Sequence, residues 1–106
     1  MKRTTRVLTR GELIKVLRQE QPFLKSRFGV KKMAIFGSFA KDQATAKSDV
    51  DILVKFSRPV GWEFITLIDY LEKKLGRKAD VLTPAGIKSI RVKKIAQDIR
   101  RSLINV

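Results

Sequence analysis

Apolar and polar positions along this chain follow two periods, one helical and one extended. A helical spacing runs over residues 9–29, over 62–75 and over 87–103. Between these segments lie short apolar runs with the character of strands, at 30–36, 49–56 and 78–83. The pattern therefore predicts the order helix, strand, short helical turn, strand, helix, strand, helix.

Individual residues mark the ends of the predicted helices. Thr9 is the expected N-cap of the first helix, because Glu12 follows three residues later as in a capping box. Pro22 is expected to end or restart this helix, since proline lacks the N–H that a helix interior needs. Gly29 and Gly76 are expected to terminate the first and second helices.

The arrangement of these elements predicts the fold class. The apolar positions of the helix at 62–75 recur at helical spacing: Phe64, Ile65, Ile68, Leu71 and Leu75. The segment 87–103 is predicted as one strongly basic helix. We expect an α/β (α+β) protein with a small mixed sheet and helices mainly on one face. At 106 residues, 1–106 has the size of a single domain, with residues 1–8 as a basic arm.

Charge and missing residue types restrict the chemistry. The net charge of +14 attracts polyanions such as nucleotides, nucleic acid or an acidic protein, although the same residues could simply solubilise a small domain. The absence of cysteine excludes disulfides, and the absence of histidine argues against zinc hydrolase and Ser-His chemistry. No apolar run approaches the ~20 residues needed to span a bilayer. These features favour a cytoplasmic protein without a membrane partner.

A glycine-serine turn and two carboxylates concentrate candidate chemistry in the middle of the chain. Asp49 and Asp51 lie one residue apart on a predicted strand, so their side chains share a face and suit Mg²⁺. Gly37 and Ser38 begin the short helical turn, where backbone N–H groups could hold phosphate. Taken alone, this pair could be an ordinary turn and N-cap. Phosphate beside metal-binding carboxylates predicts nucleotidyl transfer.

The central block GSFAKDQATAKSDVDILV resembles the minimal nucleotidyltransferases, small members of the DNA polymerase beta-like superfamily. These proteins are often the antitoxin half of HEPN/MNT toxin–antitoxin pairs. Their pattern, GSxARG…SDxDLLV, has the same length between Ser38 and Asp49. A third family carboxylate follows a long helix, and Asp80 in GRKADVLT fits that place, although it could instead face solvent. The resemblance covers about residues 33–83 and implies a polymerase beta-like palm fold.

The resemblance also implies roles for particular residues. The implied catalytic residues and ligands of two Mg²⁺ ions are Asp49, Asp51 and Asp80. The implied contacts to the triphosphate of ATP or another NTP are Gly37, Ser38 and Lys41. Phe39 and Asp42 depart from the family pattern, which commonly has a basic residue and a glycine there, and Lys47 replaces an often acidic or polar loop residue.

The function expected from this set is Mg²⁺-dependent transfer of AMP, or another NMP, from an NTP to a hydroxyl on a macromolecule. The resemblance implies a HEPN toxin as the acceptor, which would make the chain an antitoxin. The net charge of +14 and the departures at Phe39 and Asp42 favour a second hypothesis, a non-catalytic antitoxin that masks an acidic partner. A third is an RNA-directed nucleotidyltransferase that uses the basic arm and last helix. A homo- or hetero-oligomer is compatible with all three.

Overall fold

A computed structural model describes residues 8–106, which form a mixed four-stranded sheet with helices packed against it. The strands are β1 (Val30–Phe36), β2 (Val50–Phe56), β3 (Ala79–Leu82) and β4 (Ile104–Asn105), in the order β3-β2-β1-β4. The helices are α1 (Arg10–Phe28), α2 (Gly37–Ala40), α3 (Glu63–Leu75), α4 (Pro84–Lys88) and α5 (Lys93–Ser102). β1 is antiparallel to β2 and β4, whereas β2 and β3 are parallel. The predicted fold class is confirmed; the predicted basic arm lies, except for Leu8, outside the described residues.

Helix α1 begins and ends as predicted but does not stop at its proline. Thr9 Oγ1 accepts a hydrogen bond from Glu12 N at 3.1 Å, and Glu12 Oε1 accepts one from Thr9 N at 3.0 Å. The prediction that Pro22 ends or restarts the helix is wrong, because α1 is continuous through it. A proline inside a helix costs about 3 kcal/mol. Burying Leu17 and Leu24 on either side stabilises the helix by about 1.5–3 kcal/mol each, which offsets this cost.

The main core lies between one face of the sheet and the two long helices, α1 and α3. The alternate residues Val50, Ile52 and Val54 of β2 are fully buried on this face, as the predicted strand requires. On α3 the fully buried residues are Leu67 and Leu71. Ile65, which the helical spacing grouped with the other apolar positions of α3, is 60% exposed and lies outside the core. Two positions along a helix correspond to a rotation of about 200°, so Ile65 lies nearly opposite Leu67.

The basic segment predicted as one helix over 87–103 is two helices, so that prediction is wrong. Pro84 occupies the first turn of α4, and Thr83 Oγ1 accepts from Gly86 N at 3.1 Å as its cap. Ser89 Oγ donates to Gly86 O at 2.7 Å, the carbonyl that Ile90 N would use in a continuing α-helix. Ile90 N bonds instead to Ile87 O, and the chain leaves the helix before α5 begins.

The C-terminal helices lie against the second face of the sheet. Leu53 of β2 points to this face and lines a cavity with Ile87 and Leu103. After α5, the short strand β4 pairs with the end of β1, with Ile35 opposite Ile104. None of the helices in the described part of the chain has the length and apolar character needed to cross a membrane. This packing brings α5 beside the turn between β1 and α2.

Candidate active site

The three predicted carboxylates lie near the N-terminal ends of the neighbouring strands β2 and β3. Asp51 is directly opposite Asp80 on the neighbouring parallel strand, and Asp49 precedes β2 by one residue. Asp51 is half-buried, whereas Asp49 and Asp80 are exposed. Asp80 is exposed to solvent, as the alternative expected, and it also lies beside Asp51 in the sheet. Sheet register, rather than chain proximity, assembles this acidic group.

Electrostatics mark Asp51 as the most perturbed carboxyl of the group. The pKa of Asp51 is raised from 3.8 to about 6. Burial is the largest cause, followed by the negative charges of Asp80 and of Asp49. A hydrogen bond between the Asp51 and Asp80 side chains acts in the same direction. Near neutral pH, ionised Asp51 therefore lies in repulsive surroundings that a bound cation would relieve.

Gly37, the first residue of α2, brings the turn between β1 and α2 into direct contact with Asp51. Its φ of +71° is in the left-handed region. A Cβ atom built on Gly37 would lie 2.1 Å from Asp51 Oδ2, so no side chain fits between the turn and the carboxylate. Both the backbone angle and the close approach require glycine here. The Gly37 amide is held by Ser102, whose Oγ accepts its hydrogen at an N···O distance of 3.2 Å.

The other two predicted phosphate contacts differ in where the structure places them. Lys41 is exposed at the end of α2 and lines a cavity of about 190 Å³ together with Gly37 and Asp51. Ser38 is half-buried in α2 and does not line this cavity. Its backbone carbonyl accepts from Gln43 N at 2.8 Å, which closes the turn after α2.

Helix α5 supplies one wall of the cavity, which the sequence did not predict. The lining residues from α5 are Ile95, Asp98, Ile99 and Ser102. Ser102 Oγ donates to Ile99 O at 3.1 Å, which leaves the oxygen free to accept from Gly37 N. Asp98 adds a second carboxylate to this cavity, besides Asp51. Ser102 and Gly37 are 65 positions apart, and no motif in the sequence connects them.

Arg77, also absent from the prediction, holds the loop that leads to Asp49. Its Nη1 donates to Ser48 O at 2.9 Å and to Thr45 O at 3.4 Å. Its guanidinium lies over the ring of Phe39, 5.2 Å from the ring centre. Because this contact crosses from the start of β3 to the loop before β2, Arg77 fixes the position from which Asp49 emerges.

The structure explains the departures from the family pattern at Phe39 and Asp42. Phe39 is 1% exposed and belongs to the core, so an apolar residue is appropriate at that position. Asp42 has a φ of +60°, a left-handed conformation that glycine adopts freely and aspartate tolerates better than most residues. Asp42 therefore keeps the turn that glycine makes in the family pattern.

The carboxylate group suits a hard divalent cation. Oxygen ligands from Asp49, Asp51 and Asp80 are of the type that Mg²⁺ prefers. Within residues 8–106, no three side chains of metal-ligating type are already spaced to hold one ion. Burial is the first cause of the raised pKa of Asp51, and the charges of Asp80 and Asp49 add to it, so a divalent cation bound here would be stabilised by these carboxylates.

The mixed sheet, with its carboxylates and glycine turn, has the arrangement that the resemblance to minimal nucleotidyltransferases implied. Comparison with known families agrees, because residues 14–103 match the family described as nucleotidyltransferase domain. The chain belongs to this family and is a nucleotidyltransferase by class, which confirms the resemblance to minimal nucleotidyltransferases.

Individual relatives cover nearly the whole chain. Protein adenylyltransferase MntA of Thermococcus cleftensis is 36% identical over 94 residues, 88% of this chain and 95% of that protein. MJ1379 of Methanocaldococcus jannaschii, provisionally named a protein adenylyltransferase, is 40% identical over 93 residues, 85% of this chain and 93% of that one.

Solved structures share the fold. One provisionally described as a minimal nucleotidyltransferase has a TM-score of 0.68 at 25% identity, covering 90% of this chain and 94% of that chain. A toxin–antitoxin structure determined with AMP-PNP has a TM-score of 0.58 at 20% identity, covering 92% of this chain and 72% of that chain. The second similarity concerns the fold alone.

Proposed function

We propose that this chain is a protein adenylyltransferase that moves AMP from ATP to a hydroxyl group of a partner protein. The observation that carries the proposal is the contact of the Gly37 turn with Asp51, beside Asp80 on the next strand. The Gly37 turn, which could bind phosphate, is therefore next to carboxylates that could bind a metal ion. The names of the relatives support AMP as the transferred group and a protein as the acceptor.

The partner that we propose is a HEPN-type toxin, which adenylylation would silence, so that the chain acts as an antitoxin. The family resemblance supports this partner, and the relative MntA supports the transferred group. The departures at Phe39 and Asp42 first favoured a non-catalytic antitoxin. Both residues have structural explanations, so they no longer argue against catalysis.

The transfer forms a bond between the acceptor oxygen and the α-phosphorus and breaks the bond from that phosphorus to pyrophosphate. Bound Mg²⁺ would stabilise negative charge on the phosphate oxygens. Asp49, Asp51 and Asp80 are the residues that would hold it. Asp80 is exposed and can accept the proton of the acceptor hydroxyl, which then passes to solvent.

The phosphate side of the proposed site consists of Gly37 and Lys41, which line the cavity, and of Ser38, which lies outside it in α2. Gly37 allows close backbone approach, and the exposed Lys41 supplies positive charge. The cavity of about 190 Å³ is smaller than the roughly 300 Å³ at which ligand pockets usually begin. We therefore expect the nucleotide to extend from this cavity over open surface, where an acceptor protein can reach it.

The test is incubation with Mg²⁺ and α-labelled ATP in cytosol of the source organism. The wild type should label a discrete protein band, and Asp49→Asn with Asp51→Asn should not. Glu63→Gln with Asp69→Asn is the matched control, because it removes two acidic charges on α3, away from the site. Label on an RNA band would contradict the protein acceptor, and capture of a partner without any transfer would contradict catalysis.

A further inference from the structure

A cavity lies away from the candidate active site, between α1 and the first half of β1. Its volume is about 460 Å³. We name it the basic groove, lined by Arg18, Gln21, Pro22 and Lys25 of α1 and by Val30, Lys31, Lys32 and Met33 of β1. β1 rises about 3.3 Å per residue, so its first residue is roughly 20 Å from the end that carries the active-site turn. The groove is therefore a separate surface.

A β-bulge directs two consecutive lysines toward the groove. Val30 pairs with Phe56 and Lys32 pairs with Lys55, so Lys31 is an extra residue without a partner on β2. In a regular strand, neighbouring side chains point to opposite faces. Here Lys31 and Lys32 are both exposed, and both line the groove. Bulges of this kind often re-aim side chains beside functional sites.

The positive charges of the groove are not neutralised by the protein itself. No acidic residue lines the groove, and its four cations have no ion pair or side-chain hydrogen bond within residues 8–106: Arg18, Lys25, Lys31 and Lys32. On α3, by contrast, Lys73 pairs with Asp69 at 3.1 Å. Lys32 also lies directly opposite Lys55, a like-charge pair that destabilises the sheet. An anionic ligand would relieve this repulsion.

The lining between the cations distinguishes an acidic peptide from a nucleic acid. Pro22 gives the groove exposed apolar surface, and the buried core residues Val30 and Met33 lie at its floor. Single-stranded nucleic acid usually stacks its bases on aromatic side chains, and none lines this groove. A peptide with both carboxylates and apolar side chains matches both features, since its apolar groups can contact this surface while its carboxylates reach the lysines.

We propose that the basic groove binds an acidic, partly apolar segment of a partner protein. This binding needs neither ATP nor the aspartates of the candidate active site, so it stands independently of the proposed transfer. The groove would hold the partner protein at a surface that is separate from the candidate active site.

The test is fluorescence anisotropy with a labelled peptide in which glutamates alternate with leucines. We expect Lys31→Gln with Lys32→Gln to weaken binding roughly five- to tenfold, as for the loss of two exposed ion pairs. Lys93→Gln with Lys94→Gln removes the same charge from α5 and should change binding less than about twofold. Arg18→Gln with Lys25→Gln tests the opposite wall of the groove and should weaken binding like the first pair.

Melting curves would verify that all variants fold, and a peptide with serine in place of leucine should bind more weakly. Equal losses from the groove and α5 variants would overturn the proposal in favour of general charge attraction. Failure of the wild type to bind the peptide would also overturn it. The proposal would also be overturned if binding of a labelled oligouridylate depended on Lys31 and Lys32 while binding of the peptide did not.

Discussion

Replacing Gly37 by alanine tests the contact on which the candidate active site depends. Gly37 and Gly76 have nearly the same backbone angle, with φ of +71° and +69°. They differ in their surroundings. A Cβ at Gly37 would lie 2.1 Å from Asp51 Oδ2, whereas a Cβ at Gly76 would have no atom within 4 Å. Gly76→Ala is therefore a matched control for the backbone strain alone.

The two substitutions should differ in size and in kind. A left-handed alanine costs roughly 1–2 kcal/mol, and Gly76→Ala should lose about this much stability. For a domain of this size, each kcal/mol lowers Tm by about 4–8 °C. Gly37→Ala carries the same strain and must also displace the Asp51 carboxylate or the turn. We expect it to lose about 1–3 kcal/mol more, as overpacked sites do.

Thermal melts and transfer assays on both variants provide the measurement. Gly37→Ala should be the less stable protein and should lose transfer even at temperatures where it is fully folded. Gly76→Ala should keep near wild-type transfer. Equal stability losses, together with normal transfer by folded Gly37→Ala, would refute the idea that close approach of the turn to Asp51 forms the site.

Three further predictions concern the surroundings of the site. Because the pKa of Asp51 is raised from 3.8 to about 6, the folded state binds more protons than the unfolded state between these values, so this group lowers stability as pH rises from about 4 to about 6. Asp51→Asn should therefore raise Tm at pH 8 while abolishing transfer, and an unchanged or lower Tm would contradict the repulsion. Ser102→Ala removes the acceptor of the Gly37 amide and should cost about 0.5–1.5 kcal/mol in denaturant melts, whereas no loss would mean that the bond is not formed in solution. Arg77→Ala removes the contacts to Ser48 and Thr45 and should speed proteolysis within residues 42–48; an unchanged cleavage rate would show that the loop is held by other contacts.

The sequence predicted those features that depend on local pattern. The strand β1 and the glycine end of α3 follow from short-range rules, and Asp49, Asp51 and Asp80 follow from motif spacing. Their convergence required only the pairing of β2 with β3. How each site residue contributes to transfer stays a prediction.

Features set by contacts between distant parts of the chain could not be predicted. The bond from Gly37 to Ser102 depends on how α5 packs, which no local pattern encodes. The break before α5 is accompanied by a hydrogen bond from the Ser89 hydroxyl to the carbonyl oxygen of Gly86. Pro22 is tolerated because tertiary burial outweighs its local cost, and the basic groove depends on a bulge that strand alternation does not reveal.

The most direct test of the account compares ATP labelled at the α-phosphate with ATP labelled at the γ-phosphate, under otherwise identical conditions. Nucleotidyl transfer predicts that only the α label reaches an acceptor protein, and that Asp51→Asn abolishes this transfer while Gly76→Ala retains it. Transfer of the γ label, or α labelling that persists in Asp51→Asn, would contradict the central claim that this carboxylate site transfers AMP.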